Sequence, residues 1–154
     1  MKKIIFRTIL LLTLTMIVSC NDNEDLDSFE GLTNFTWWVS PPTIDFNIPE
    51  KTIDLNKYLV FKDLSKGYTS HKWEIKSGGK FISTNFVESD TIYTDNLIPD
   101  AGTISEESLV AVVFPEVGIH EILLRNTYKD SVIGSVKMDN EWVAEQVFTI
   151  TVEE

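Results

Sequence analysis

Cysteine is nearly missing from this sequence. Cys20 is the only one in 154 residues, so no intrachain disulfide forms and no thiolate metal site assembles. Positive charge is scarce too. Thirteen Lys and Arg stand against 24 Asp and Glu, a formal net charge of −11. That balance repels nucleic acid and anionic membrane surfaces, and otherwise serves solubility. Histidine is limited to His71 and His120. No Gly-x-Ser-x-Gly, His-Glu-x-x-His or phosphate-cradling glycine loop occurs. No two carboxylates stand in an apolar setting that would drive their pKa values apart, as a hydrolase pair requires. An enzyme is therefore not expected, and no catalytic residue, cofactor or metal site is read from the chain. Internal repeats and a convincing helical period are also missing.

What is present begins with a leader. Lys2, Lys3 and Arg7 precede the apolar run Ile9 to Val18, which only Thr13 and Thr15 interrupt. Ile4 to Val18 falls short of the roughly 20 apolar residues that a spanning helix needs. This is the pattern of a secretory signal. Loss of its three cations leaves the mature chain more acidic still. The leader ends in Ile17-Val-Ser-Cys20, which resembles a bacterial lipobox. The resemblance implies that Cys20 becomes the first mature residue and carries lipid on its sulfur and its amino group. Acyl chains at ~0.8 kcal/mol per buried methylene make such an anchor effectively permanent. Asn21 to Asp27 is polar, acidic and without apolar periodicity, so a disordered tether is expected. It resembles the acidic export signal of Bacteroidota-type lipoproteins, implying the outer face of the outer membrane, although a generic solvated linker looks similar. The expected organisation is a signal peptide over 1–19, lipidated Cys and tether over 20–34, and one folded domain over 35–154.

Within that domain two short strands surround a polar turn. Leu59 and Phe61 alternate with Val60 and Lys62, Asp63 to Gly67 supplies the turn, and His71, Trp73 and Ile75 alternate with Lys72 and Glu74. Period two places Leu59 and Phe61 on one face and His71, Trp73 and Ile75 on another. Trp73 is the expected hub of a small β-sandwich. Phe35 to Val39 is an aromatic strand candidate, stopped by Pro41 and Pro42, which cannot donate to a ladder. In Thr43 to Ile48 the apolar residues Ile44, Phe46 and Ile48 share one face, and Thr52 to Leu55 leads into the central pair. Phe81-Ile82 is a short candidate, and Asn85 to Glu107 a long polar segment of the kind that is functional or mobile. Ser108 to Phe114 reads as a buried strand. His120, Ile122 and Leu124 share a face, Tyr128 to Asn140 forms a hairpin arm, and Trp142 to Val152 closes the sheet. Some seven strands give an all-β, antiparallel sandwich.

The run Leu59-x-Phe61-x-Asp63-Leu64-Ser65, then Trp73-Glu-Ile75, Phe114-Pro-Glu-Val-Gly118-Ile-His-Glu-Ile-Leu-Leu124 and Phe148-Thr-Ile-Thr-Val152, resembles a PKD domain. The resemblance covers about Thr43 to Val152. It implies an immunoglobulin-like β-sandwich of a kind common on microbial surfaces, with the 85–107 segment as a long loop insertion. Two positions depart from the family pattern. Trp73-Glu-Ile-Lys-Ser-Gly78 replaces its Trp-Asp-Phe-Gly-Asp-Gly turn, and His120 stands where it carries the tyrosine of a corner.

Both histidines are expected to be buried, hydrogen-bonded fillers. Asp90, Asp95, Asp100, Glu106 and Glu107 crowd the insertion, but their spacing matches no calcium loop and they read as solvated. Flat aromatic faces suit the C–H face of a sugar, and carboxylates and amides suit its hydroxyls. On that chemistry Trp37, Trp38 and Tyr93 are candidate stacking residues, with Asp90, Asp95, Asn96 and Asp100 as hydrogen-bonding partners. Of Trp37 and Trp38 one must face the core and the other outward. Asp90-Thr91-Ile92 and Asp130-Ser131-Val132 resemble a short O-glycosylation acceptor, placing sugar on Thr91 and Ser131. The expected role is a non-catalytic binding or accessory module, for glycan or a glycan-uptake complex. The alternative is a structural or assembly lipoprotein that binds an envelope protein and no small ligand. With no second domain to position, a pure spacer is the less expected role.

Overall fold

The computed structural model describes residues 35–85 and 92–154. Expectations about the leader, Cys20, the tether, Asp90 and Thr91 lie outside the described residues. Among those residues eleven strands form two sheets. The strands are β1 (Trp37–Ser40), β2 (Asp45–Phe46), β3 (Glu50–Asp54), β4 (Tyr58–Asp63), β5 (Tyr68–Ile75) and β6 (Lys80–Ile82). They continue with β7 (Ile104–Ser105), β8 (Leu109–Val113), β9 (Gly118–Tyr128), β10 (Val136–Met138) and β11 (Glu141–Glu153). A 3₁₀ turn, Tyr93–Asn96, lies in the insertion. The first sheet has the order β2-β1-β4-β8-β6, and the second β10-β11-β9-β5-β7 with β3 added to β11.

Alternation decides which side chains meet between the sheets. Trp37 and Val39 of β1, Leu59 and Phe61 of β4, and Val110 and Val112 of β8 point inward from the first sheet. Trp73 and Ile75 of β5, Ile122 and Leu124 of β9, and Phe148 and Ile150 of β11 meet them from the second. All are buried, each contributing roughly 1.5–3 kcal/mol for the larger apolar side chains. Trp73 is fully buried. Its ring lies 5.7 Å from Phe61 and 5.6 Å from Phe148, and those two lie 5.4 Å apart, within aromatic-pair range.

The described residues are nearly all β and two-layered, but their pairing is not purely antiparallel. β3 runs parallel to β11 over Thr149–Glu153, while every other strand pair is antiparallel. Pro41, Pro42 and Pro49 interrupt the first ladder, so β1 stays in the first sheet and β3 crosses to the second. The alternating stretch from Thr43 to Ile48 likewise yields only the two-residue β2. Asn47, at φ 54°, turns the chain out of the extended run, and Ile44, Phe46 and Ile48 remain exposed.

The insertion is ordered where it is described. Ile82 bridges Leu97, and the Ile98 amide donates to the Phe81 carbonyl at 3.2 Å. The segment then crosses to the opposite sheet, where β7 pairs with Trp73 and Glu74 of β5. It thus spans from the edge of one sheet to the edge of the other. His120 is buried and its Nε2–H donates to the Glu116 carbonyl at 2.7 Å. Its ring fills the space over Gly78, where a Cβ would lie 1.7 Å from Nδ1; Gly78 also has φ +65°, a conformation that glycine adopts readily.

Candidate functional site

The outer faces of the two sheets differ in chemistry. On the second sheet Lys72 and Lys76 reach Glu74 at 3.2 and 2.6 Å, and Arg125 reaches Glu145 at 2.6 Å. The two lysines hold the Glu74 carboxyl below its ordinary value, Lys76 most strongly. Such exposed pairs contribute little stability, and exposed aliphatic Ile104, Ile119 and Val147 share their face.

The first sheet is different. Its outward positions align in rows: Trp38, Lys62 and Leu109; then Ser40, Val60, Ala111 and Ile82; then Tyr58, Val113 and Lys80. Ile82, Ala111 and Val113 are buried although they point away from the core, because Tyr58, Val60 and Tyr93 pack over them. Tyr93 comes from the insertion and meets Tyr58 edge-on, ring centres 4.5 Å apart. Beyond these rings opens a groove of about 350 Å³, walled by Pro41, Pro42, Ile53 and Tyr58 with Asp54 and Lys57 at its rim. A second cleft, about 410 Å³, lies where Phe81, Ile82 and Val110 meet Ile98, Ala101 and Ile104 of the insertion.

This arrangement sorts the candidates from the sequence. Trp37 is corrected: it is buried in the core, 5.5 Å from Phe148, because its β1 position is the inward one, and it offers no stacking face. Trp38 points outward, half-buried, directly opposite Phe46 of β2. Tyr93 shares the outer face of the same sheet. Asp95 and Asp100 are exposed and Asn96 is half-buried, its carbonyl accepting the Ser83 amide at 2.8 Å. None of these three lines the groove beside Tyr93. Ser131 is exposed between β9 and β10. Asp95, Asp100, Glu106 and Glu107 form no metal centre: among the described residues no three His, Cys, Asp or Glu side chains converge.

One buried polar cluster ties the layers together. Asp63 of β4 and His71 of β5 face each other from opposite sheets, Oδ2 to Nδ1 at 3.0 Å. Asn126 of β9 donates from Nδ2 to the same carboxylate oxygen at 2.7 Å and offers its Oδ1 to His71 Nδ1 at 3.1 Å. His71 Nε2–H donates to the Glu107 carbonyl at 3.1 Å, and the Ser65 amide donates to Asp63 Oδ1 at 2.8 Å. Burial opposes charge on both groups. The hydrogen bonds outweigh it, holding Asp63 below its ordinary value and His71 above its own. With acceptors at both ring nitrogens the imidazolium fits this site. Such a histidine has no lone pair for base catalysis, and its Nε2–H is committed to a backbone carbonyl, so the cluster is a clamp.

Sequence reasoning missed the groove and the clamp. The alternation Leu59, Phe61, Asp63 already puts Asp63 inward with His71, and Tyr58 outward. Reading Asp63 as turn chemistry hid that signal. The convergence of Pro41, Pro42, Asp54 and Lys57 left no trace in sequence spacing. Among the described residues no helix is long and apolar enough to cross a membrane. Compared with family models, curated proteins and solved structures, the chain matches none of them.

Proposed function

We propose that this chain is a lipid-anchored, non-catalytic recognition module of the cell envelope, displayed on the outer membrane surface, that binds glycan through the outer face of its first sheet. The observation that carries the reading is the aromatic set on the first sheet's outer face, Trp38, Phe46, Tyr58 and Tyr93, where the second sheet's outer face carries ion pairs and the aliphatic Ile104, Ile119 and Val147. Sandwich scaffolds present recognition surfaces on rigid frameworks in this way. The strand order supports an immunoglobulin-like, PKD-type frame. Strands β1-β4-β8-β6 follow the A-B-E-D order of that fold, and β11-β9-β5 its G-F-C order. Here β3 continues the first strand across to the last. The sequence Ile17-Val-Ser-Cys20 supports the anchor.

Affinity electrophoresis through gels containing neutral polysaccharides tests the binding role. Retardation of the wild-type chain, reduced in Trp38→Ala and Tyr93→Ala, is the expected result. Free migration of the wild type in every gel, or unchanged retardation of both variants, refutes it. One observation favours a second reading, in which the ligand is an envelope protein. Ile44, Phe46 and Ile48 are 58%, 59% and 48% exposed, with Phe46 opposite Trp38, and exposed apolar side chains of this kind are what protein interfaces cover.

A further inference from the structure

Four separate segments build the groove over Tyr58. Pro41 and Pro42 follow β1, Asp54 ends β3, Lys57 precedes β4 and Tyr58 opens it, and Tyr93 arrives from the insertion. Its rim is held firmly. The Lys57 amide donates to the Asp54 carbonyl at 3.2 Å, the Leu55 amide to Glu153 at 2.7 Å and the Asn56 amide to Phe114 at 2.9 Å. Backbone bonds to both sheets therefore fix where the Asp54 carboxylate and the Lys57 ammonium start. Both side chains are exposed, and neither makes an ion pair among the described residues.

Building on the binding role above, we propose that this groove is a subsite for one ring of a neutral saccharide. The chemistry narrows the ligand by elimination. Tyrosine and proline walls call for an apolar face, as the C–H face of a pyranose provides. Asp54 only accepts hydrogen bonds and Lys57 only donates them, so together they match neighbouring hydroxyls that do both. Asp54 and Lys57 together bring no net charge to the groove, so the pair gives neither an anionic nor a cationic sugar an advantage over a neutral one. The net charge of −11 further disfavours an anion. A volume of about 350 Å³ is at the small end of ligand sites, which suits one ring and its linkage.

Calorimetric titration of the full-length chain in detergent, with neutral disaccharides and with a uronate disaccharide, tests this. The expected result is binding of at least one neutral disaccharide in preference to the uronate. Asp54→Ala and Lys57→Ala should each weaken it roughly ten-fold, the loss of one charge-assisted hydrogen bond. Lys72→Ala, on the ion-paired face, should bind like wild type. Wild-type binding that survives intact in both Asp54→Ala and Lys57→Ala overturns the subsite and leaves the glycan role standing. Preference for the uronate overturns the neutral class. If no saccharide binds the wild type, the subsite and the role fall together.

Discussion

Trp73 occupies the centre of the core and yet carries an unmet cost. Its indole Nε1–H, like that of Trp37, is buried without a hydrogen-bond partner. Deleting the ring should still destabilise strongly, because Phe61 and Phe148 would face a void: Trp73→Ala is expected to cost about 3–5 kcal/mol. Trp73→Phe removes the orphan donor together with part of the ring, so its cost should be clearly smaller. Urea denaturation of the two variants checks the order, and equal losses would contradict it. The Asp63–His71 pair makes a second prediction at this scale. His71 binds its proton more tightly folded than unfolded, so its contribution is complete below about pH 6.5, the unfolded value, and is lost as pH rises through the folded one. Asp63 is shifted the other way. Its contribution is present above about pH 3.9 and is lost as pH falls through the lower folded value. Stability should therefore peak between roughly pH 4 and 6.5, and His71→Gln should flatten the alkaline limb. An unchanged limb in that variant would show that another group sets it.

At the scale of elements, the insertion depends on the sheets that it joins. Its far end is tied by the Glu107 carbonyl to His71 and by the Thr103 carbonyl to the Ile75 amide at 2.8 Å. His71→Ala should leave the core ladders protected while amides from 103 to 108 exchange faster with deuterium; uniform acceleration would mean that the histidine supports the whole fold instead. The inward strands were legible in the sequence, because period-two alternation with Leu59, Phe61, Trp73, Ile122, Leu124, Phe148 and Ile150 reports burial directly. The choice between Trp37 and Trp38 was not, since alternation says that neighbours point oppositely without fixing which faces in. The parallel β3–β11 pair was hidden for a related reason. Alternation describes a strand's faces and says nothing of its partner, which here is set by the proline-broken path between β1 and β3. The covering of Ile82, Ala111 and Val113 by Tyr93 was equally hidden, as it joins residues that only the folded insertion brings together.

At the scale of the whole molecule, the proposed anchor and the proposed recognition face would together make a tethered sandwich that reads what lies outside the cell. Intact mass of the membrane-extracted protein should show a chain beginning at Cys20 with acyl groups attached. A start elsewhere or an unmodified Cys20 would contradict the anchor. Protease shaving of whole cells should remove the domain if it faces outward. The contrast between faces is the central claim, and hydrogen–deuterium exchange of the full-length chain with and without saturating neutral polysaccharide reads both faces at once. The account predicts slower exchange over Trp38 to Lys62 and around Tyr93, with Lys72 to Lys76 and Arg125 unchanged. Protection confined to the ion-paired face, or no protection anywhere, would contradict it.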